Sequence, residues 1–255
     1  MKENKRISIC IAAHNPNDYL VQELESIMPQ LKECDEVIIS EDSSIENSIY
    51  QLIKQRWERV TIIKSEQIVS NPWQWLQGDF KGYAVTNNFL NAILHARGEY
   101  IFLADQDDIW SESRVETVLN TLKKNKGTLV VCNADIINKD GNLTKHVIRY
   151  SNPLNISYPI LQCIKRPPFL GCTMAFDRTL LEEVLPFPNK LNSHDSWITL
   201  VALKCKKIVV IPFTLHYYRI HNNNVSGNIN NSMLFKVVYR IYLLFSIFTR
   251  RINVR

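Results

Sequence analysis

An alternation of short apolar runs with segments of helical periodicity constrains this chain more than any other feature. Ile7-Ser-Ile-Cys-Ile-Ala12 ends in the turn signal His14-Asn-Pro-Asn17, and apolar residues then recur at Tyr19, Leu20, Leu24, Ile27 and Leu31. The same order returns with the run Glu36–Ser40, a loop at Glu41-Asp-Ser-Ser44, a helical segment from Ile45 to Arg56 and a strand at Val60–Lys64. Strands that alternate with helices bury both faces of their sheet, so the pattern predicts a mostly parallel α/β sheet flanked by helices.

A helix predicted over Tyr83–Ala96 precedes the strand Glu99–Ala104, which runs straight into Asp105-Gln-Asp-Asp108. Ligands of open α/β sheets bind beyond the carboxyl ends of the strands, so the loops at His14-Asn15, Asp42 and Asp105 are expected to converge. Past residue 128 the alternation loosens into a strand at Thr128–Cys132, a hairpin around Lys139-Asp-Gly-Asn142 and an irregular Pro-containing stretch. Within Arg166–Phe176 that follows, Gly171-Cys172-Thr173 is expected to wall a ligand pocket. With no internal repeat or linker, the 255 residues read as one domain, 1–227, and a basic amphipathic helix, 228–255. Residues 1–110 form the nucleotide half of that domain and 111–227 the acceptor half.

Three carboxylates within four positions repel one another unless a cation or a proton relieves them. Mg²⁺ or Mn²⁺ suits such a site, because these ions take one or two carboxylates and complete their shell with water and phosphate oxygens. A second reading keeps Asp108 as the cap of a helix beginning at Ile109-Trp110. Trp73 and Trp75 are candidates for stacking on sugar faces, whereas Trp110 reads as core.

Taken together, Ile7–Asn15, Val37–Ser44 and Phe102-Leu-Ala-Asp-Gln-Asp-Asp-Ile-Trp110 resemble the successive signatures of family-2 glycosyltransferases of the GT-A fold. The Asp-Gln-Asp-Asp-Ile-Trp form and Tyr218-Arg-Ile-His-Asn-Asn-Asn-Val-Ser-Gly227 are similar to the branch with rhamnosyltransferases and other surface-polysaccharide enzymes. The resemblance implies a D-x-D element in which Asp107 binds the metal and Asp105 lies near the ribose. It further implies contact of Asp42 with the base, and a first loop in which Ala12, Ala13 and Asn15 line the nucleotide pocket. Asn15 in Asn-Pro-Asn is equally a good turn residue. Asp195, in Asn192-Ser-His-Asp-Ser-Trp197, takes the place of the family's general base, with His194 standing where a Glu is usual. Its alternative is a helix N-cap. His221 is then a second metal ligand and Arg219 a diphosphate contact. Glu41-Asp-Ser-Ser44 departs from the family's Asp-Asp-Gly-Ser.

Charge is unevenly spread. The net value is only +5, but no acidic residue follows Asp195, and Lys236, Arg240, Arg250, Arg251 and Arg255 lie among bulky apolar residues near the end. That mixture favours a lipid surface over nucleic acid. Its longest apolar run, Ile241–Phe245, is far short of the roughly 20 residues that span a bilayer. The helix is therefore expected either to lie on a membrane or to pack an apolar stripe on the core. Six scattered cysteines with no C-x-x-C pair and no leader segment imply thiols in a reducing compartment, on the cytoplasmic face of an inner membrane.

The expectation is an inverting transferase that moves a hexose or rhamnose from a nucleotide-diphosphate sugar to a saccharide hydroxyl in surface-polysaccharide synthesis. The tail points to a lipid-linked acceptor. The competing class is a non-catalytic nucleotide-sugar-binding or scaffold protein at the membrane.

Overall fold

The structure, a computed structural model, describes residues 6–66, 71–78, 80–150, 160–222, 224 and 231–252. Its first half is β1 (Ile7–Ala13), α1 (Asp18–Ile27), β2 (Glu36–Glu41), α2 (Ser48–Arg56), β3 (Val60–Lys64), α3 (Phe80–His95) and β4 (Tyr100–Ala104). β5 (Ile109–Trp110), α4 (Arg114–Lys124), β6 (Leu129–Ile137), β7 (Leu143–Ile148), α5 (Ile160–Lys165), β8 (Met174–Asp177), α6 (Arg178–Val184), α7 (His194–Lys204), β9 (Ile208–Arg219) and α8 (Met233–Thr249) follow. All nine strands join one sheet in the order β3-β2-β1-β4-β8-β6-β9-β5, with β7 paired to β6.

Alternation along each strand divides the core into two layers. Ile7, Ile9 and Ile11 of β1, Val37 and Ile39 of β2 and Phe102 of β4 face one way, against Leu20, Leu24 and Ile27 of α1 and Val118 and Leu122 of α4. Cys10, Ile38, Ile101 and Leu103 face the other way, against Phe89 and Ile93 of α3, Trp197 of α7 and the inner side of α8. Because β1, β2 and β4 are parallel, their carboxyl ends share one edge and deliver the three acidic or polar loops to one place.

The parallel half is β3-β2-β1-β4; beyond it the sheet is mixed, with β8 antiparallel to both β4 and β6. β9 is parallel to β6 through two register shifts near Cys132 and Asn133. It carries Pro212 and an irregular burial pattern, which hides a strand of this length from period-two reading. Ile109-Trp110 is not a helix start: it is a two-residue strand paired with Tyr217 and His216, and the next helix begins at Arg114. The hairpin at 139–142 joins β6 to β7 with Gly141 at φ 85°.

α8 buries Phe235, Tyr239, Leu243 and Ile247, one residue per turn. Gly78 makes the seat, since a Cβ there would lie 2.5 Å from the Phe235 ring. Val237, Ile241, Phe245 and Phe248 on its opposite side are exposed. Core packing and an outward apolar stripe thus occupy two faces of one helix. No helix among the described residues is long and apolar enough to cross a membrane. The expected boundary at residue 228 lies outside the described residues. All six cysteines are unpaired.

Candidate active site

The loops after β1, β2 and β4 meet as the strand directions require. His14 N–H donates to Gln106 Oε1 at 2.8 Å, and Gln106 Nε2 donates back to the His14 carbonyl at 3.1 Å. His14 Nδ1 lies 2.6 Å from Asp42 Oδ1, and this partner raises the imidazole pKa. Gln106, the central residue of Asp-Gln-Asp, therefore ties the first loop to the third, a role that nothing in the sequence pattern marks.

Glu41, just before Asp42, is fully buried and accepts from the Tyr50 hydroxyl and from Ser43 N–H at 2.6 Å. Its extra methylene serves a structural anchor and leaves Asp42 to face the cleft. Asn15 adopts φ 46° and exchanges hydrogen bonds with Ser43, so it shapes the turn. Ala12, Asp42, Asp105, Asp107 and Asp195 line a cleft of about 590 Å³.

The three aspartates of the cluster have different fates. Asp108 is fully buried and accepts from His216 Nε2 and from Arg219 N–H, both at 2.8 Å. The Arg114 guanidinium contacts His216 Nδ1 and donates to the Cys172 carbonyl at 2.5 Å. Arginine cannot accept, so His216 Nδ1 must, and Nε2 carries the proton given to Asp108. Burial lowers the His216 pKa, which keeps the ring neutral. Asp108, Cys172 and His216 lie within 4.8 Å of one another, but both imidazole nitrogens are used and a guanidinium adjoins, so the trio does not suit a cation.

Asp107 is half-buried. Desolvation and the charge of Asp108 push its carboxyl up to about 6, against the opposing pull of His221 and Arg219. His221 Nε2 stands 2.7 Å from Asp107 Oδ2, and its ring packs on Tyr19 at 5.1 Å. Burial also raises the Asp105 pKa well above the ordinary carboxylate value, reinforced by Asp108 and Asp107 and, more weakly, by Asp195. Glu23 of α1 is wholly buried, neither carboxyl oxygen has a hydrogen-bond partner, and burial followed by Asp108, Asp107 and Asp105 raises its pKa strongly. Arg114 and Arg219 offset part of this buried acid, and the carboxylate of Asp107 with the imidazole of His221 is a donor pair that fits a divalent cation.

Arg219 requires a correction. It is 1% exposed, with Nε donating to the Asp107 carbonyl at 2.8 Å, Nη1 to the Lys139 carbonyl at 3.0 Å and Nη2 to Gln22 Oε1 at 2.9 Å. Its plane rests 4.5 Å from the Tyr19 ring centre. Being the last residue of β9, it is buried as a strut beneath the acidic loop, with all three guanidinium nitrogens bonded to protein oxygens. Asn223 and Val225–Gly227 of the same motif lie outside the described residues.

Asp195 sits in the first turn of α7, half-buried. Its Oδ1 accepts from Ser193 Oγ and from Ser196 N–H at 2.7 Å, while Oδ2 has no partner among the described residues. Ser193 occupies the N-cap position without a side-chain cap bond, and Asp195 binds the first-turn amide of Ser196. His194 packs on Phe89 at 4.1 Å and so closely on Gly171 that a Cβ there would lie 2.4 Å from its Nε2. Trp73 is buried beneath α8 and donates to the Lys190 carbonyl at 2.8 Å, so it is unavailable for sugar stacking. Trp75 is exposed, and Trp110 is core, with the Arg114 guanidinium 3.8 Å from its ring centre.

A parallel half-sheet thus ends in an acidic cleft that Asp195 of α7 also lines. Residues 81–185 match the family model Glycosyl transferase family 2. The chain is 26% identical over 226 residues to the UDP-Glc:alpha-D-GlcNAc-diphosphoundecaprenol beta-1,3-glucosyltransferase WfgD of Escherichia coli, covering 87% of this chain and 80% of the relative. It is 23% identical over 227 residues to the putative teichuronic acid biosynthesis glycosyltransferase TuaG of Bacillus subtilis, covering 87% and 82%. The fold of S. aureus TarS 1–349, solved in complex with UDP-GlcNAc, superposes with a TM-score of 0.69 at 16% identity, covering 98% of this chain and 68% of that one. Residues 81–185 are thus similar to family-2 glycosyltransferases, and the chain shares its GT-A fold with TarS.

Proposed function

We propose that this protein is a metal-dependent, inverting hexosyl- or rhamnosyltransferase of surface-polysaccharide synthesis that uses a nucleotide-diphosphate sugar and a lipid-linked saccharide acceptor. One observation carries the reading: Asp195 and the Asp105–Asp107 pair, far apart in sequence, line one cleft together with Asp42. In this reading Asp42 meets the base and Asp105 the ribose. Asp107 and His221 would hold Mg²⁺ or Mn²⁺, which supplies charge neutralisation on the departing diphosphate. Arg219 acts as a positioning residue, fixing the Asp107 backbone.

Ser193 and Ser196 hold Asp195 through Oδ1, which leaves Oδ2 to take the proton of the acceptor hydroxyl. The acceptor oxygen then bonds to the anomeric carbon as the bond to the diphosphate oxygen breaks. With base and leaving group on opposite faces, one displacement inverts the centre and needs no covalent enzyme intermediate.

The outward stripe of α8, with Ile241, Phe245 and Phe248 beside basic residues, supports peripheral membrane contact that would bring the enzyme to a lipid-linked substrate. The decisive experiment titrates wild type and Asp107→Ala with uridine, thymidine and guanosine diphosphate sugars, with and without Mn²⁺. Metal-dependent binding of one donor, lost in the variant, is expected. Absence of binding for every donor would favour the scaffold reading.

A further inference from the structure

A second cavity, of about 620 Å³, adjoins the catalytic cleft and has the opposite charge. Arg149, Lys165, Arg166 and Arg240 surround it, with Tyr150 and Phe169, and no carboxylate lines it. Lys165, Pro167, Phe169 and Arg240 wall the cleft as well, so the two spaces share a partition.

Two of the four cations are already engaged. Arg149 bonds Asp135 at 2.7 Å and the Ala134 carbonyl at 2.9 Å, and Arg240 bonds the Lys165 carbonyl at 3.1 Å. Lys165 and Arg166 are exposed, and their side chains have no partner among the described residues. Two exposed cations whose side chains have no partner among the described residues, beside a concavity large enough for a ligand, suit an anion with several oxygens. The donor does not need them, since its diphosphate belongs on the acidic, metal-binding side. Arg240 lies on α8 next in sequence to Ile241, a member of the exposed stripe that runs from Val237 to Phe248. An anion here therefore has saccharide space on one side and an apolar surface on the other.

We propose that this cavity binds the diphosphate of a lipid-diphosphate-linked saccharide acceptor, with Lys165 and Arg166 as its principal contacts. The inference rests on the glycosyltransferase reading above and deepens its acceptor assignment.

The test compares flotation of the full chain with phosphatidylcholine vesicles carrying undecaprenyl diphosphate or, at equal surface charge, phosphatidylserine. Wild type is expected to bind the first about tenfold more tightly, the effect of a few charge-assisted contacts. A Lys165→Gln/Arg166→Gln protein should lose that preference with an unchanged melting temperature, and Lys165→Arg/Arg166→Lys should keep it. Equal binding of wild type to both vesicles would reduce the cavity to general attraction for anionic headgroups and overturn the proposal. So would a preference that survives the double Gln substitution. Donor titration on the same preparation separates the failures: bound donor without diphosphate preference retires this inference alone, and no bound donor retires the enzyme reading.

Discussion

Asp107 and Asp108 are neighbours in one acidic run, yet the structure assigns them opposite work, and replacing each by Asn exposes the difference. Asp108 is fully buried and receives two charge-assisted bonds of 2.8 Å, one through neutral His216 that leads to buried Arg114. An Asn there has one accepting oxygen, so its amide must confront either the His216 or the Arg219 N–H, and the Arg114 charge loses its balancing anion. Bonds to charged groups contribute about 1.5–3 kcal/mol each, and breaking a buried pair costs about 3–5 kcal/mol. Asp108→Asn should therefore lose about 3–5 kcal/mol, which for a chain of this size lowers Tm by roughly 6–20 °C. Asp107→Asn, half-buried and relieved of repulsion from Asp108, should melt within about 2 °C of wild type or above it. Urea unfolding followed by circular dichroism gives both values side by side. If Asp108→Asn unfolds within about 1 kcal/mol of wild type, the buried network does not hold β5 to β9 as argued.

Three further outcomes are expected. Asp195→Asn should lower kcat by about 10²–10⁴-fold with donor affinity and melting temperature little changed, measured by nucleotide release; retained turnover would remove it as base. Glu23 has its folded-state pKa raised, so its contribution to stability is present below the unfolded value of about 4.3 and is lost as pH rises through the raised value. Glu23→Gln should consequently gain Tm relative to wild type at pH 8 but not at pH 4, and equal shifts at both would refute a charge origin. Phe245→Ser/Phe248→Ser, at side chains 68% and 70% exposed, should leave folding stability within about 0.5 kcal/mol and weaken vesicle binding by about tenfold or more; unchanged vesicle binding would remove α8 as the contact.

The first hundred residues were legible because their strands are short, apolar and separated by polar turns, so strand ends and loops could be placed without tertiary information. Convergence of His14, Asp42 and Asp105 follows from parallel strands alone. The second half was harder. β8 has four residues and β9 contains a proline and two register shifts, so neither shows a clean period. Missing β9 is what misplaced Arg219, since a residue read as part of a loop is free to point at ligand, whereas the end of a buried strand is not. Asp108 posed the same difficulty, because its partners His216 and Arg219 lie more than one hundred positions away and only the fold brings them near. Gln106 and Glu23 carry no pattern at all: one joins loops and the other is an acid on the buried side of an otherwise ordinary helix.

α8 touches the catalytic wall directly. The Tyr239 hydroxyl accepts from Asn192 N–H at 2.9 Å and the Tyr242 hydroxyl from Lys190 N–H at 3.0 Å, on the segment that leads into Asp195. Whatever engages the outer stripe of the helix and favours its docked position therefore favours an ordered Asp195, the base of the proposed mechanism, and reciprocity requires an ordered Asp195 to strengthen that engagement by the same factor. An enzyme built this way is tuned by where it stands: occupancy of a surface and readiness of the proton acceptor become two readings of one equilibrium.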